Sequence, residues 1–281
     1  MNINGRTDWH CIAEELWATG LTVFPIDESV IDPARAGFQK FLTRRQEKDD
    51  HCDWFIQRGG ENEYDIGLVQ RNGGGHDVKS FFHHDHTLKQ RLLNAGQLTD
   101  EADTQFLLQN LALLKHVNEV GRLLTRALDT CFHLNCAKQY ELCQRSTLPY
   151  STTTLRGLHY ADGAEQTGAQ PHFDRSFLTI HLGDQGGTLQ TQTVDEQWVD
   201  ISPPPGFALA FFGLKARWVT NDRKGPLRHR SITIPGRDRF AFVHFGHVPV
   251  KFHYVQDAAQ SNEAFEVMFL PAIKDGTYHW Q

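Results

Sequence analysis

Two periodicities divide the chain. In the first half apolar residues recur at helical spacing. Ile12 and Leu16 share a face between Asp8, suited to cap a helix, and Gly20, suited to end one, which predicts a short helix from Asp8 to about Thr19. Leu21 to Ile26 then reads as a strand. The clearest helix runs from Thr99 to about Leu128. Asp100, Glu101 and Asp103 favour its positive N-terminal end, and Leu107, Leu111, Leu114, Leu124 and Leu128 form a stripe that belongs in a core. Between about Arg35 and Gln97 the pattern is polar and mixed and predicts no element, with Gly59-Gly60 and Gly73-Gly74-Gly75 marking loops.

After about Thr152 the period becomes two. Phe177 to Leu182, Arg228 to Ile234 and Asp238 to Phe245 alternate. Gly183-Asp184-Gln185-Gly186-Gly187, Pro203-Pro204-Pro205-Gly206 and Pro235-Gly236-Arg237-Asp238 supply the turns. Short strands between Gly/Pro turns, without helical segments between them, predict a mainly β fold, an antiparallel sandwich or barrel, buttressed on one outer face by the helical first half. No linker separates the halves. One domain is therefore expected over residues 1–281, helix-rich over 1–150 and with its β core over 151–281.

Composition narrows the function classes. The 281 residues are 40% hydrophobic and 22% charged, an ordinary globular balance. The net charge of −6 and the absence of a basic stripe argue against nucleic acid as a partner. The longest apolar run, Phe207 to Leu214, is too short to span a bilayer, and the polar start lacks the apolar stretch of a signal peptide. A cytoplasmic protein without a membrane partner is expected, with its five cysteines reduced and mainly buried, since none form a C-x-x-C pair.

The 16 histidines change the picture, because imidazole is a common metal ligand. Phe81-Phe82-His83-His84-Asp85-His86 gathers three of them beside a carboxylate. Adjacent residues point different ways, however, and a solvated loop or helix start is the preferred reading there. Gln170-Pro171-His172-Phe173-Asp174 is more informative: on an extended chain His172 and Asp174 project from one face and reach a single metal. His229, in a later predicted strand, is positioned to return as the third ligand. Two histidines and a carboxylate form the facial triad of non-haem iron(II) enzymes. Arg239 opens the next strand, with Ala241, Val243 and Phe245 on its own face. An arginine facing a barrel interior needs an anion, and without a protein carboxylate a ligand carboxylate serves.

In this order the segments resemble the isopenicillin N synthase-like branch of the iron(II)/2-oxoglutarate-dependent dioxygenases. Leu155-Arg156-Gly157-Leu158-His159-Tyr160 looks like that family's L-R-x-x-x-Y. His172-Phe173-Asp174, Leu178-Thr179 and Asp184-Gln185-Gly186-Gly187-Thr188-Leu189-Gln190 are similar to its H-x-D, L-T and Q-D-x-x-G-G-L-Q blocks. Trp198-Val199, Pro205-Gly206, Thr220-Asn221 and His229-Arg230 follow in the family's order. In the first half, Thr19 to Val23 resembles the family's first strand, and Asp77-Val78-Lys79-Ser80-Phe81-Phe82 its D-x-K-E-x-F.

The resemblance implies a double-stranded β-helix, the jelly-roll or cupin-like barrel, with His172, Asp174 and His229 binding iron(II). It implies 2-oxoglutarate and O2 as cosubstrates, with Arg239 and Tyr160 holding the distal carboxylate of the former. It also implies oxidation, most commonly hydroxylation, of an unactivated C–H bond with release of succinate and CO2. A carboxylate at Asp174 argues against halogenation, since related halogenases carry a small residue there. The substrate is expected to be a small molecule bearing a carboxylate or similar anion, with Phe173, Arg156 and Phe245 as pocket residues and Arg175 and Arg217 near the mouth; His159 is a pocket candidate too, although a satisfied barrel histidine is the preferred reading there. Two departures stand out. The family's R-x-S is here Arg239-Phe240-Ala241, without the hydroxyl that joins the arginine, and the interval from His229 to Arg239 is one residue longer than is common in the family. These keep open an iron oxidase of the same fold that uses no 2-oxoglutarate. A zinc hydrolase and a non-catalytic cupin-like binding module are remoter alternatives. Oligomeric state is not legible in the pattern.

Overall fold

Asp8 and Gly20 bracket the first helix as their chemistry requires. In the computed structural model, which describes residues 7–47, 67–71, 79–96, 98, 100–145, 152–162 and 167–249, the Asp8 carboxylate accepts from the N–H groups of His10 and Cys11. Gly20, at φ 83°, returns its N–H to the Leu16 carbonyl at 2.9 Å, closing helix α1 (Trp9–Thr19). Strand β1 (Leu21–Pro25) follows, then α2 (Glu28–Glu47), β2 (Gly67–Arg71), β3 (Lys79–His84), α3 (Leu88–Asn94), α4 (Glu101–Phe132) and α5 (Ala137–Cys143). The second half contributes β4 (Thr154–Tyr160), β5 (Thr167–His172), β6 (Leu178–Gln185), β7 (Gly187–Gln192), β8 (Trp198–Asp200), β9 (Phe207–Phe212), the single helical turn α6 (Ala216–Val219), β10 (His229–Thr233) and β11 (Arg239–Gly246).

Among the described residues the strands form two antiparallel sheets. One has seven strands in the order β1-β9-β6-β11-β4-β3-β2, the other four in the order β5-β10-β7-β8. From β4 onward the chain passes back and forth between the sheets: β4, β6, β9 and β11 lie in the large one, and β5, β7, β8 and β10 in the small one. That winding is the expected double-stranded β-helix, or jelly roll.

Period two sorts β11 between two environments. Phe240, Phe242 and His244 face the helices: Phe38 of α2 lies 6.1 Å from Phe242 and meets Phe240 edge-on at 6.2 Å, while His244 donates its ring Nε2–H to Asn118 of α4 at 2.8 Å. Arg239, Ala241, Val243 and Phe245 face the barrel interior. Most of the predicted α4 stripe is core, with Leu107, Leu114, Leu124 and Leu128 at most 1% exposed and Leu111 only partly buried against it, and the helix starts where Asp100 accepts the Ala102 N–H at 2.7 Å.

Three expectations are revised. The stretch left unassigned holds most of α2 together with β2, β3 and α3, and α2 buries Ile31, Ala34, Phe38, Phe41 and Leu42. The strands of the second half are interrupted by α6. Cysteines split evenly among the described residues, all of them free: Cys136 and Cys143 are buried, Cys11 is exposed and Cys131 half-buried. The Gly59-Gly60 and Gly73-Gly74-Gly75 loops, Cys52, Asp77, Val78 and Thr99 lie outside the described residues. Among the described residues no helix is long and apolar enough to cross a membrane.

Candidate metal and ligand site

The three residues singled out for metal binding come together. One ligand atom from each of His172, at the end of β5, Asp174 and His229, at the start of β10, lies within 4.8 Å of the others. Register explains the convergence, because β10 pairs with β5 so that His229 sits directly opposite His172. Each imidazole is fixed in the same way: Nδ1–H donates to the carbonyl two residues earlier, His172 to Gln170 at 2.7 Å and His229 to Leu227 at 3.0 Å. The bond sets the tautomer and leaves both Nε2 lone pairs aimed inward. His172 Nε2 lies 3.6 Å from Asp174 Oδ1, and His229 Nε2 3.7 Å from Asp174 Oδ2.

Protonation states suit a cation. Burial opposes the Asp174 charge, and His229, His172 and the Thr179 hydroxyl outweigh it, holding the carboxyl well below the usual range. Burial pushes His229 down to about 4, so its ring is neutral near pH 7. Two imidazoles and one carboxylate on one side of a cleft fit iron(II) with positions left for other ligands. Among the described residues this is the only such cluster; His83, His84, Asp85 and His86 form none. They stand instead on β3 and the following turn, where Asp85 accepts from the Thr87 N–H at 2.8 Å.

The cleft over the triad is lined by Lys79, Arg156, Leu158, Tyr160, His181 and Phe245, and deeper in by Ser231 and Arg239. Arg156 is held between two rings, its guanidinium carbon 5.1 Å from the centre of Phe81 and 4.7 Å from that of Phe245, with its Nε on His83. Arg239, 1% exposed, lies over the Tyr160 ring at 5.0 Å.

Two expected pocket residues are elsewhere. His159 stands between Leu158 and Tyr160 on β4, so alternation turns it to the far side, where it stacks on Phe240 and its Nε2 lies 2.9 Å from Asp238. Phe173 does not line the cleft either. A protein carboxylate is available to Arg239, so the condition under which a ligand anion would be its counter-charge is not met: Asp184 of β6 makes a buried ion pair with it. Spacing missed Asp184 and its neighbour His181, because an uninterrupted strand places residues three apart on opposite faces.

Residues 129–248 match the family model of the 2OG-Fe(II) oxygenase superfamily. The 1-aminocyclopropane-1-carboxylate oxidase homolog 9 of Arabidopsis thaliana is 34% identical over 124 residues, which cover 41% of this chain and 31% of that protein. The match thus spans about a third of that relative's length. Among solved structures, the dioxygenase for auxin oxidation 1 of Arabidopsis thaliana, in a 2-oxoglutarate complex, is similar with a TM-score of 0.66 at 16% identity, covering 88% of this chain and 91% of that one. T7H of Neurospora crassa, in complex with alpha-KG and 5-formyluracil, gives 0.65 at 17% identity, with 85% and 78% covered. These structural likenesses share the jelly-roll fold found here. The family match runs from the end of α4 through β11 and includes all three residues of the triad.

Proposed function

We propose that this protein is an iron(II)- and 2-oxoglutarate-dependent oxygenase acting on a small, anionic organic molecule, with hydroxylation of an unactivated C–H bond as its reaction. The convergence of His172, Asp174 and His229 in a cleft floored by Arg239 carries the reading. Bound there, iron(II) would supply O2 activation coupled to decarboxylation of the oxo acid to succinate and CO2.

The chain's own residues divide the remaining work. His172 and His229, anchored through Nδ1, and Asp174, anchored by Thr179, hold the ligand atoms in place. Leu158, Leu189, Phe211 and Val243 make the inner wall apolar and exclude water. Arg239 and Tyr160 are positioned for the oxo acid's far end. Arg156, fixed by Phe81 and Phe245 nearer the cleft's edge, supports an anionic group on the substrate, met by a guanidinium already held in one orientation. Within this reading the described residues act as one oxygenase domain, and the free thiols support a reducing, cytoplasmic setting.

Anaerobic titration of the apoprotein with iron(II) and then 2-oxoglutarate tests the proposal. A weak visible charge-transfer band, lost in His229→Ala, is the expected result. One observation favours a second reading, an iron oxidase that takes no oxo acid: Arg239 already has a carboxylate partner. Iron binding without the band would favour it.

A further inference from the structure

Gly183, at φ 85°, adds a residue to β6 between the Ala241–Asp184 and Val243–His181 pairs. This bulge turns His181 and Asp184 onto the same inner face. Their side chains are sealed in, 3% and 2% exposed, with Asp184 Oδ2 3.3 Å from His181 Nε2 and Oδ1 on Arg239 Nη2. Asp184 is not part of the cleft lining, whereas His181, Arg239 and Ser231 are, so the carboxylate backs the arginine from behind. Arg239 Nε and Nη1 and the Ser231 hydroxyl have no hydrogen-bond partner among the described residues.

A guanidinium selects a carboxylate by paired N–H donors and by net charge. Here the donors remain but the charge is already offset. A second carboxylate reaching Arg239 would complete a buried group of one cation and two anions, and like charges at such range in a poorly polarisable interior disfavour one another. Ala241, directly across from Asp184, presents a methyl group and adds no donor to compensate.

We propose that Asp184 sets the oxo-acid selectivity of this site. By holding Arg239 in a neutral pair, it lowers the advantage of a dicarboxylic 2-oxo acid over a monocarboxylic one of equal length, so that 2-oxo acids with an uncharged far end are accepted. The inference rests on the triad being an iron and oxo-acid site.

The test compares 2-oxoglutarate with 2-oxovalerate, which has the same five carbons and no distal carboxylate. Each is titrated anaerobically into the iron(II)-loaded full chain, with the chelate band and the thermal shift as readouts. In the wild type the two dissociation constants should lie within about tenfold of each other. Asp184→Asn should tighten 2-oxoglutarate by about tenfold or more while leaving 2-oxovalerate unchanged, and Asp184→Glu should keep the wild-type ratio. A wild-type preference for 2-oxoglutarate of about a hundredfold overturns the proposal without any variant. So does an Asp184→Asn protein that binds 2-oxoglutarate no better, since Asp184 would then only hold the arginine in place. Iron binding with no band from either acid overturns the oxo-acid reading itself, and this inference with it.

Discussion

Thr179 Oγ1 donates to Asp174 Oδ2 across 2.8 Å and is itself within 2.7 Å of Ser176 Oγ, all three side chains being buried. The hydroxyl engages the Asp174 oxygen nearer His229, while Oδ1 lies on the His172 side. Thr179→Val keeps the shape and removes the bond. It should weaken iron(II) binding by about 10–100-fold, as partners of metal ligands commonly do, with little change in the circular dichroism spectrum. Unchanged iron affinity would mean that the two histidines alone orient the carboxylate.

Gly187 is required by what lies against it. A Cβ there would overlap the Arg239 Cδ and the Ile232 carbonyl oxygen, and the second of these is backbone that cannot swing aside. Gly187→Ala should therefore cost about 1–3 kcal/mol, lowering Tm by about 2–4 °C for each kcal/mol. The displaced guanidinium should also impair 2-oxoglutarate binding more than 2-oxovalerate binding. Equal losses for both acids would show that the damage is general loosening of the barrel.

Buried histidines give the apoprotein an acid-sensitive stability. Burial lowers His244 to about 3, and His84, beside Asp85, to about 4. In the unfolded chain both titrate near 6.5. Between those values the unfolded state holds protons that the native state does not, so stability rises with pH and is lost as pH falls from about 6.5 toward 4. Each group contributes a slope of up to about 1.4 kcal/mol per pH unit. Urea midpoints measured from about pH 7 to pH 5 should fall accordingly, and His244→Gln should flatten the slope by one proton. A slope unaltered by that change would assign the sensitivity to other groups.

The metal triad was legible because its geometry is local. An H-x-D on an extended chain fixes two ligands, and the alternation of β10 fixes the face of the third. What periodicity did not reach is structure that breaks periodicity. Asp184 stands inside only because Gly183 inserts a bulge, and His159, between Leu158 and Tyr160 on β4, faces the opposite way from the cleft. In α2, Ile31, Ala34, Phe38 and Phe41 keep helical spacing, but Pro33 and Gly37 lie among them and mask it. Gly37 packs toward α4, where a Cβ would meet the movable end of Gln109.

The pairing of Ala241 with Asp184 makes one substitution depend on the other. A serine at 241 restores the family's R-x-S, yet its hydroxyl would arrive opposite a buried carboxylate, a stronger acceptor than the oxo acid has to offer at that point. Ala241→Ser alone should therefore change 2-oxoglutarate affinity by less than about threefold. On the Asp184→Asn background the hydroxyl is released to the ligand, and the same substitution should tighten binding by about 1 kcal/mol, roughly fivefold. The four proteins form a double-mutant cycle whose coupling measures how far Asp184 intercepts the hydroxyl. Additive effects would place the serine out of reach of both, and full tightening by Ala241→Ser alone would show that Asp184 leaves the oxo-acid pocket unaltered.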